Sequence, residues 1–195
     1  MEKFRNKYRI PSTRLQTWDY GWNGSYFVTI CTHRHICYFG LIGSGIMHYS
    51  ELGSMAGKLW LEIPEHFPFV HLSEFVIMPN HVHGIIIINK TIVEAQNFAP
   101  LQSPQTRADI PTQSPSVTKT TSLPKNRFGP QTQNLASVIR RYKTGVTKYA
   151  NINNPGFQWQ SSYYDHIIRD TGSFERICNY IRNNPLQWGK DEFHE

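Results

Sequence analysis

The stretch Phe75-Val-Ile-Met-Pro-Asn-His-Val-His-Gly-Ile-Ile-Ile-Ile88 constrains the fold more than any other part of the chain. Two apolar runs flank Met78-Pro79-Asn80, a turn signal, so the stretch reads as two strands joined tightly. Side chains alternate along a strand, which puts His81, His83, Ile85 and Ile87 on one face. Val82, Gly84, Ile86 and Ile88 line the other. A strand apolar on both faces belongs in the middle of its sheet with elements packed over each side. Two imidazoles on one face at the mouth of that strand can chelate a cation.

The rest of the chain supplies elements to cover such a sheet. Tyr26-Phe-Val-Thr-Ile-Cys-Thr32 is a run of β-formers and predicts a buried strand. It ends in Thr32-His33-Arg34-His35, a second His-x-His, read as an exposed strand end because no apolar strand follows it. Ile46–Tyr49 predicts a short edge strand. Ser50 is placed to cap an amphipathic helix over 51–63, whose stripe is Leu52, Met55, Leu59 and Ile63 and whose end is marked by Pro64 and Pro68. Phe69–Met78 supplies a strand. Leu135–Tyr149 predicts a helix with the stripe Leu135, Val138, Ile139, Tyr142 and Val146, followed by a loop at 151–156. Phe157–Ile168 reads as an extended segment and strand. A last helix, capped by Ser173 and ended by Pro185, buries Phe174, Ile177, Cys178 and Ile181.

At 195 residues the chain fits one domain, interrupted by a flexible segment at about 90–133 that is dense in Gln, Thr, Ser and Pro. The net charge of +6 favours an anionic partner, nucleic acid ahead of membrane. Arg140, Arg141, Lys143 and Lys148 have no acidic partner on their helix, which is stronger evidence for phosphate contact than net charge. Three unframed cysteines suit a reducing compartment, and no apolar run has the length of a membrane span. Together these predict a cytoplasmic protein.

On the last helix Tyr180 lies off the buried stripe, with Arg176 one turn earlier and Asn184 one turn later on the same flank. A cation held by the two imidazoles and a phenol nearby make a phosphodiester attack chemically reasonable. Three strings occur in order: Met78-Pro79-Asn80-His81-Val82-His83, then Phe157-Gln-Trp-Gln with Tyr163-Tyr164-Asp165-His166-Ile167-Ile168-Arg169, then Tyr180-Ile-Arg-Asn-Asn184-Pro185. In these the chain resembles the REP-associated tyrosine transposases, a group of the His-hydrophobic-His (HUH) single-tyrosine transposases. The likeness spans nearly the whole chain outside the low-complexity segment.

The resemblance implies an α+β fold: a ferredoxin-like α/β sandwich whose central antiparallel sheet carries the histidine strand, with a C-terminal tyrosine helix. It implies His81 and His83 as metal ligands, Tyr180 as nucleophile, and Asn184 where relatives often carry a metal-binding glutamine. It implies Mg²⁺ or Mn²⁺ as cofactor. The partner would be single-stranded or hairpin DNA, cleaved and rejoined through a 5′-phosphotyrosine. Arg14, Arg140, Arg141, Lys143, Lys148, Arg169, Arg176 and Arg182 are the cations expected to meet phosphates. Monomer and homodimer both remain open. Two other readings stand beside it. One is a module that binds a DNA hairpin without cutting it. The other is a histidine-triad nucleotide hydrolase, which needs a third histidine where this chain has Ile85.

Overall fold

The computed structural model describes residues 3–4, 7–8, 15, 17–90, 132–191 and 193. The Gln/Thr/Ser/Pro-rich segment expected at about 90–133 falls almost wholly outside the described residues, as does Arg14. Two short strands near the start, β1 (Lys3–Phe4) and β2 (Lys7–Tyr8), pair with each other. The main elements are β3 (Gly24–Cys31), β4 (Gly40–Gly43), β5 (Ile46–Tyr49), α1 (Glu51–Leu61), α2 (Ile63–His66), β6 (Val70–Ile77) and β7 (His81–Ile88). They continue with α3 (Leu135–Asn153), β8 (Tyr164–Ile168) and α4 (Thr171–Asn183).

The central sheet has four strands in the order β6-β7-β3-β8, and every neighbouring pair is antiparallel. Setting the small hairpins aside, the chain order is β-α-β-β-α-β, the ferredoxin-like arrangement expected. β7 is central, and seven of its eight residues are buried. The reason is the alternation read from the sequence, since each face meets a different core.

The larger core lies on the Val82, Ile86 and Ile88 side. There α1 and α3 pack on the sheet through Leu52, Ala56, Trp60, Val138, Ile139, Tyr142 and Val146. Gly84 makes this layer possible: a Cβ there would stand 2.3 Å from the Trp60 ring. The absent side chain lets the indole lie flat on the strand, stacked with Phe75 and edge-on to Tyr142. The smaller core lies on the histidine side. It joins Phe27, Ile85 and Ile168 of the sheet to Cys178 and Ile181 of α4, with Phe174 and Ile177 packed against them. Helix α4 alone among the described helices crosses this face, and it packs most closely on β6 and β7.

Some local expectations hold and others are corrected. Ile46–Tyr49 is the short edge strand expected, paired with β4 in a separate two-stranded hairpin. His33–His35 is a 3₁₀ turn, with Arg34 and His35 in the left-handed region. Helix α3 runs on to Asn153, because Ala150 still faces the core and carries the last turn with it. The cap of α4 is Asp170, not Ser173: the Asp170 carboxylate accepts from the Ser173 amide at 2.8 Å. Ser50 caps α1 as expected, accepting from Gly53 N at 3.0 Å. Of the two expected stop signals, Pro64 opens the short α2, where its missing N–H costs nothing, and Pro68 follows the end of that helix at His66.

Candidate functional site

The register of the sheet assembles the site. Thr29 of β3 stands opposite His83 and Cys31 opposite His81. His81 and His83 therefore share one face, their rings 4.4 Å apart. Both are fully buried. Helix α4 lies across that face and delivers the Tyr180 hydroxyl to 3.2 Å from Nε2 of His83. Tyr180 is 42% exposed, so its ring is reachable from solvent while its oxygen points at the histidines. Phe27 stacks on His83 and meets Tyr180 edge-on, fixing both rings.

Hydrogen bonds set the tautomer of His81 and hold the ring of His83 in place. The Asn80 amide nitrogen donates to the carbonyls of His35 (3.0 Å) and Phe193 (2.7 Å). That fixes which end of the amide is oxygen, and Oδ1 accepts from Nδ1 of His81 at 2.8 Å. The Nε2 of His81 is left with its lone pair, buried and without a partner. For His83, Nδ1 lies 2.9 Å from the Thr29 hydroxyl. Both hydroxyls can donate or accept, so either neutral tautomer of His83 satisfies Thr29 and Tyr180; the one protonated at Nδ1 leaves Nε2 as the acceptor. Each imidazole is thus oriented by a partner on the far nitrogen, the arrangement usual for metal-binding histidines.

The C-terminal turn brings a carboxylate to the same place. Pro185 stops α4 and opens a 3₁₀ segment, Asn184–Lys190, that folds back under the histidines. Asp191 follows it, and its carboxylate lies within 4.8 Å of ligand nitrogens of both His81 and His83. These three residues are close enough to bind one metal ion. Asn184 is also here, almost fully buried, but its Nδ2 donates to Asp191 at 3.1 Å while its Oδ1 has no partner. Asn184, expected as a ligand, thus stands beside two imidazoles and a carboxylate, with its Nδ2 on Asp191 and its Oδ1 unpartnered. Two buried, unpartnered electron-pair donors beside a carboxylate fit a cation, since each costs free energy until something accepts from it. Phe193 and Trp188 flank His81, at 4.8 and 6.1 Å between ring centroids.

Electrostatics favour the metal-binding form of both rings. Burial, helped by the nearby His35, pushes His81 down to about 3. Burial first, then His81, pushes His83 well below its usual value, against the opposing pull of Asp191. Both imidazoles are neutral near pH 7. In metal-stripped protein, protons bind these histidines in the unfolded chain below about pH 6.5 but not in the folded one. Their contribution to stability is then complete above pH 6.5 and is lost as pH falls toward 3. Each histidine should add a slope approaching about 1.4 kcal/mol per pH unit in that window. Urea midpoints of wild type and H81N/H83N, compared between pH 6.5 and 5, check this; parallel curves would refute it.

The remaining predicted cations are dispersed. Arg140, Arg141, Lys143 and Lys148 ride on α3, across the sheet from the histidines. Lys143 is engaged within the protein, donating to the Gln160 and Ser162 carbonyls and lying over the Trp159 ring. Arg182 pairs with Glu74 of β6. Arg169 and Arg176 are exposed, at the start of α4 and on its Tyr180 flank. Ile85, where a histidine triad needs its third histidine, is sealed under α4. Asp191 is the residue that sequence reasoning missed; an isolated acid after a helix-ending Pro185 gives no periodicity to read.

Comparison with known proteins gives two findings. An uncharacterized protein of Haemophilus influenzae is 39% identical over 184 residues, which cover 94% of this chain and 92% of that one. A solved REP-associated tyrosine transposase bound to a REP hairpin superposes with a TM-score of 0.51 at 17% identity, over 98% of this chain and 77% of its own. At that identity the likeness is one of fold. No family model matches the chain. Among the described residues no helix is long and apolar enough to cross a membrane.

Proposed function

This chain and the Haemophilus influenzae protein belong to one family, its fold is that of a REP-associated tyrosine transposase, and on that premise we propose that it cleaves and rejoins single-stranded DNA. The observation that carries this reading is Tyr180 Oη at 3.2 Å from one of two buried histidines clustered with the half-buried Asp191. A nucleophile, a cation site and an open flank meet at one point.

Tyr180 attacks the scissile phosphorus, forming a tyrosyl–phosphate bond to the 5′ side. The bond to the 3′ oxygen breaks, and that oxygen leaves as a 3′-OH. The phosphotyrosine keeps the bond energy, so a later 3′-OH reverses the attack and joins ends without ATP. His81, His83 and Asp191 would hold the divalent cation, Mg²⁺ or Mn²⁺. Bound there, it would stabilise charge on the non-bridging phosphate oxygens. Asn80 and Thr29 keep the imidazole lone pairs aimed inward, and Asn184 holds the Asp191 carboxylate in place. Phe27 holds the phenol beside the histidines.

In the tautomer protonated at Nδ1, His83 has one Nε2 lone pair, which would serve either the Tyr180 proton or a cation. A cation held there would release the phenol from that bond, its proton passing to solvent water and the leaving 3′ oxygen taking one up from it. Arg176 and Arg169 lie where the strand would approach that flank. DNA with a foldback hairpin is the substrate class the fold relative's bound REP hairpin suggests. A homodimer is not needed by this geometry, because Tyr180 already reaches the histidines of its own chain.

The test is incubation of the full chain with labelled single-stranded DNA from the flanks of its own coding region, with Mn²⁺, with Mg²⁺ and with EDTA. A metal-dependent covalent protein–DNA adduct supports the reading. Hairpin binding unchanged by EDTA, with no adduct under either ion, would favour a module that binds without cutting.

A further inference from the structure

The site face of the sheet is only partly roofed. Helix α4 leaves β8 at Ile168, with Asp170 as its cap, and crosses toward β7 and β6. Ile168 is buried under its first turns, but among the described residues no helix covers the other end of β8. Tyr164, His166 and Ile168 share the face of the histidines by strand alternation, and Tyr164 pairs with Thr29, the residue that orients His83. Tyr164 is 59% exposed and His166 is exposed as well.

Two rings bracket Phe27 on this face. Tyr180 meets it from the helix, with centroids 6.1 Å apart, and Tyr164 meets it from the edge strand at 6.4 Å. Phe27 itself is almost fully buried. Tyr164 and Tyr180 thus present exposed rings on either side of Phe27, and Arg176 stands exposed on α4 one turn before Tyr180. β8 is the last strand of the sheet in the order β6-β7-β3-β8, so among the described residues no further strand of this sheet stands beyond Tyr164.

An edge-strand tyrosine kept for packing tucks its ring against neighbours. This one shows most of its surface while standing one aromatic contact from the nucleophile. An exposed ring beside a cation is the combination that takes an unpaired base on its face and a phosphate alongside. We propose that Tyr164 is a stacking platform for the unpaired DNA base next to the scissile phosphate, laid over the uncovered end of β8 against helix α4. The inference rests on the reading of Tyr180 as a nucleophile acting on single-stranded DNA. It adds the residue that places the strand. Because every base has a π-face, Tyr164 contributes affinity and position rather than sequence choice.

The experiment uses the full chain carrying Tyr180→Phe, so that bound DNA stays intact. Fluorescence anisotropy measures binding of an oligothymidylate of about twelve nucleotides, within the range one such site spans. It is repeated with an abasic strand of equal length and charge. Tyr164→Leu and Tyr164→Thr should weaken oligothymidylate binding roughly 5- to 150-fold, the loss of one stacked base. Tyr164→Phe should stay within about threefold, and the abasic strand should bind all four proteins alike. Two ringless variants are used so that one folded protein suffices, checked by thermal melting against the parent.

Equal oligothymidylate affinity for parent and ringless variants overturns the proposal, as does an equal loss with the abasic strand. On the Tyr180 background, unaltered adduct formation by Tyr164→Thr at subsaturating DNA would overturn this platform while leaving the nucleophile standing. A parent protein that binds no single-stranded DNA overturns both.

Discussion

Tyr180→Phe should abolish the covalent protein–DNA adduct while leaving the protein folded and still bound to DNA. Losing a nucleophile that works as one unit with its site typically costs about 10⁶-fold in turnover, so no adduct should be detectable against wild type. The substitution removes one hydroxyl from a ring held edge-on to Phe27. The fold therefore loses only the hydrogen bond to His83, worth about 1 kcal/mol. Binding of a hairpin oligonucleotide should change by no more than about threefold, since the ring and the cations on α4 remain.

The other tyrosines explain why this variant is decisive. Tyr142 is buried between α1 and the sheet, and its hydroxyl donates to the Ala56 carbonyl. Its phenol is held far above its usual pKa by burial, which makes it the poorest nucleophile of the group. Tyr163 packs against the large core on the far face. Tyr164 is the one other tyrosine on the site face of β8, and it stands on the opposite side of Phe27 from Tyr180. A Tyr180→Phe protein that still forms a metal-dependent adduct would move the nucleophile to Tyr164. Denaturing gel analysis of labelled DNA, followed by mapping of the modified peptide, reads either result.

The part of the site legible in the sequence is the part built by local periodicity. His81 and His83 had to share a face because a strand alternates, and β7 had to be central because its other face is apolar too. Tyr180 had to leave the buried stripe of α4 because Cys178 and Ile181 occupy it. What the sequence hid depends on contacts made across long separations. Thr29 reaches His83 only through the β3–β7 register. Asp191 reaches the histidines only because Pro185 and the 3₁₀ segment turn the chain back. The α3 cations were expected to meet phosphates like those of α4, and no local pattern tells that their helix packs on Val28, Ile30 and Val82, with the sheet between them and Tyr180. The cap of α4 shows a smaller version of the same limit. Asp170 and Ser173 are both good capping residues by type, and only the backbone decides that the acid accepts from the serine.

Asp191→Ala should weaken Mn²⁺ binding by more than about 100-fold, because it removes the only carboxylate among the three clustered ligands. Asn184→Ala should cost less, about 10- to 100-fold, if its task is to orient that carboxylate through the 3.1 Å bond from Nδ2. The unpartnered Oδ1 of Asn184 offers a second possibility, direct ligation, and the double variant separates the two. If Asn184 acts through Asp191, adding Asn184→Ala to Asp191→Ala changes nothing further, and the coupling energy equals the whole Asn184 effect. If Asn184 donates its own oxygen to the metal, the two losses add. Titration of free Mn²⁺ by electron paramagnetic resonance gives all four constants without any need for turnover. Asp191→Ala with wild-type Mn²⁺ affinity would remove Asp191 from the metal site and leave the two histidines to hold the ion with Asn184. The expected order of losses follows from chemistry rather than distance: a carboxylate brings a full negative charge to the ion, and an amide brings only a dipole.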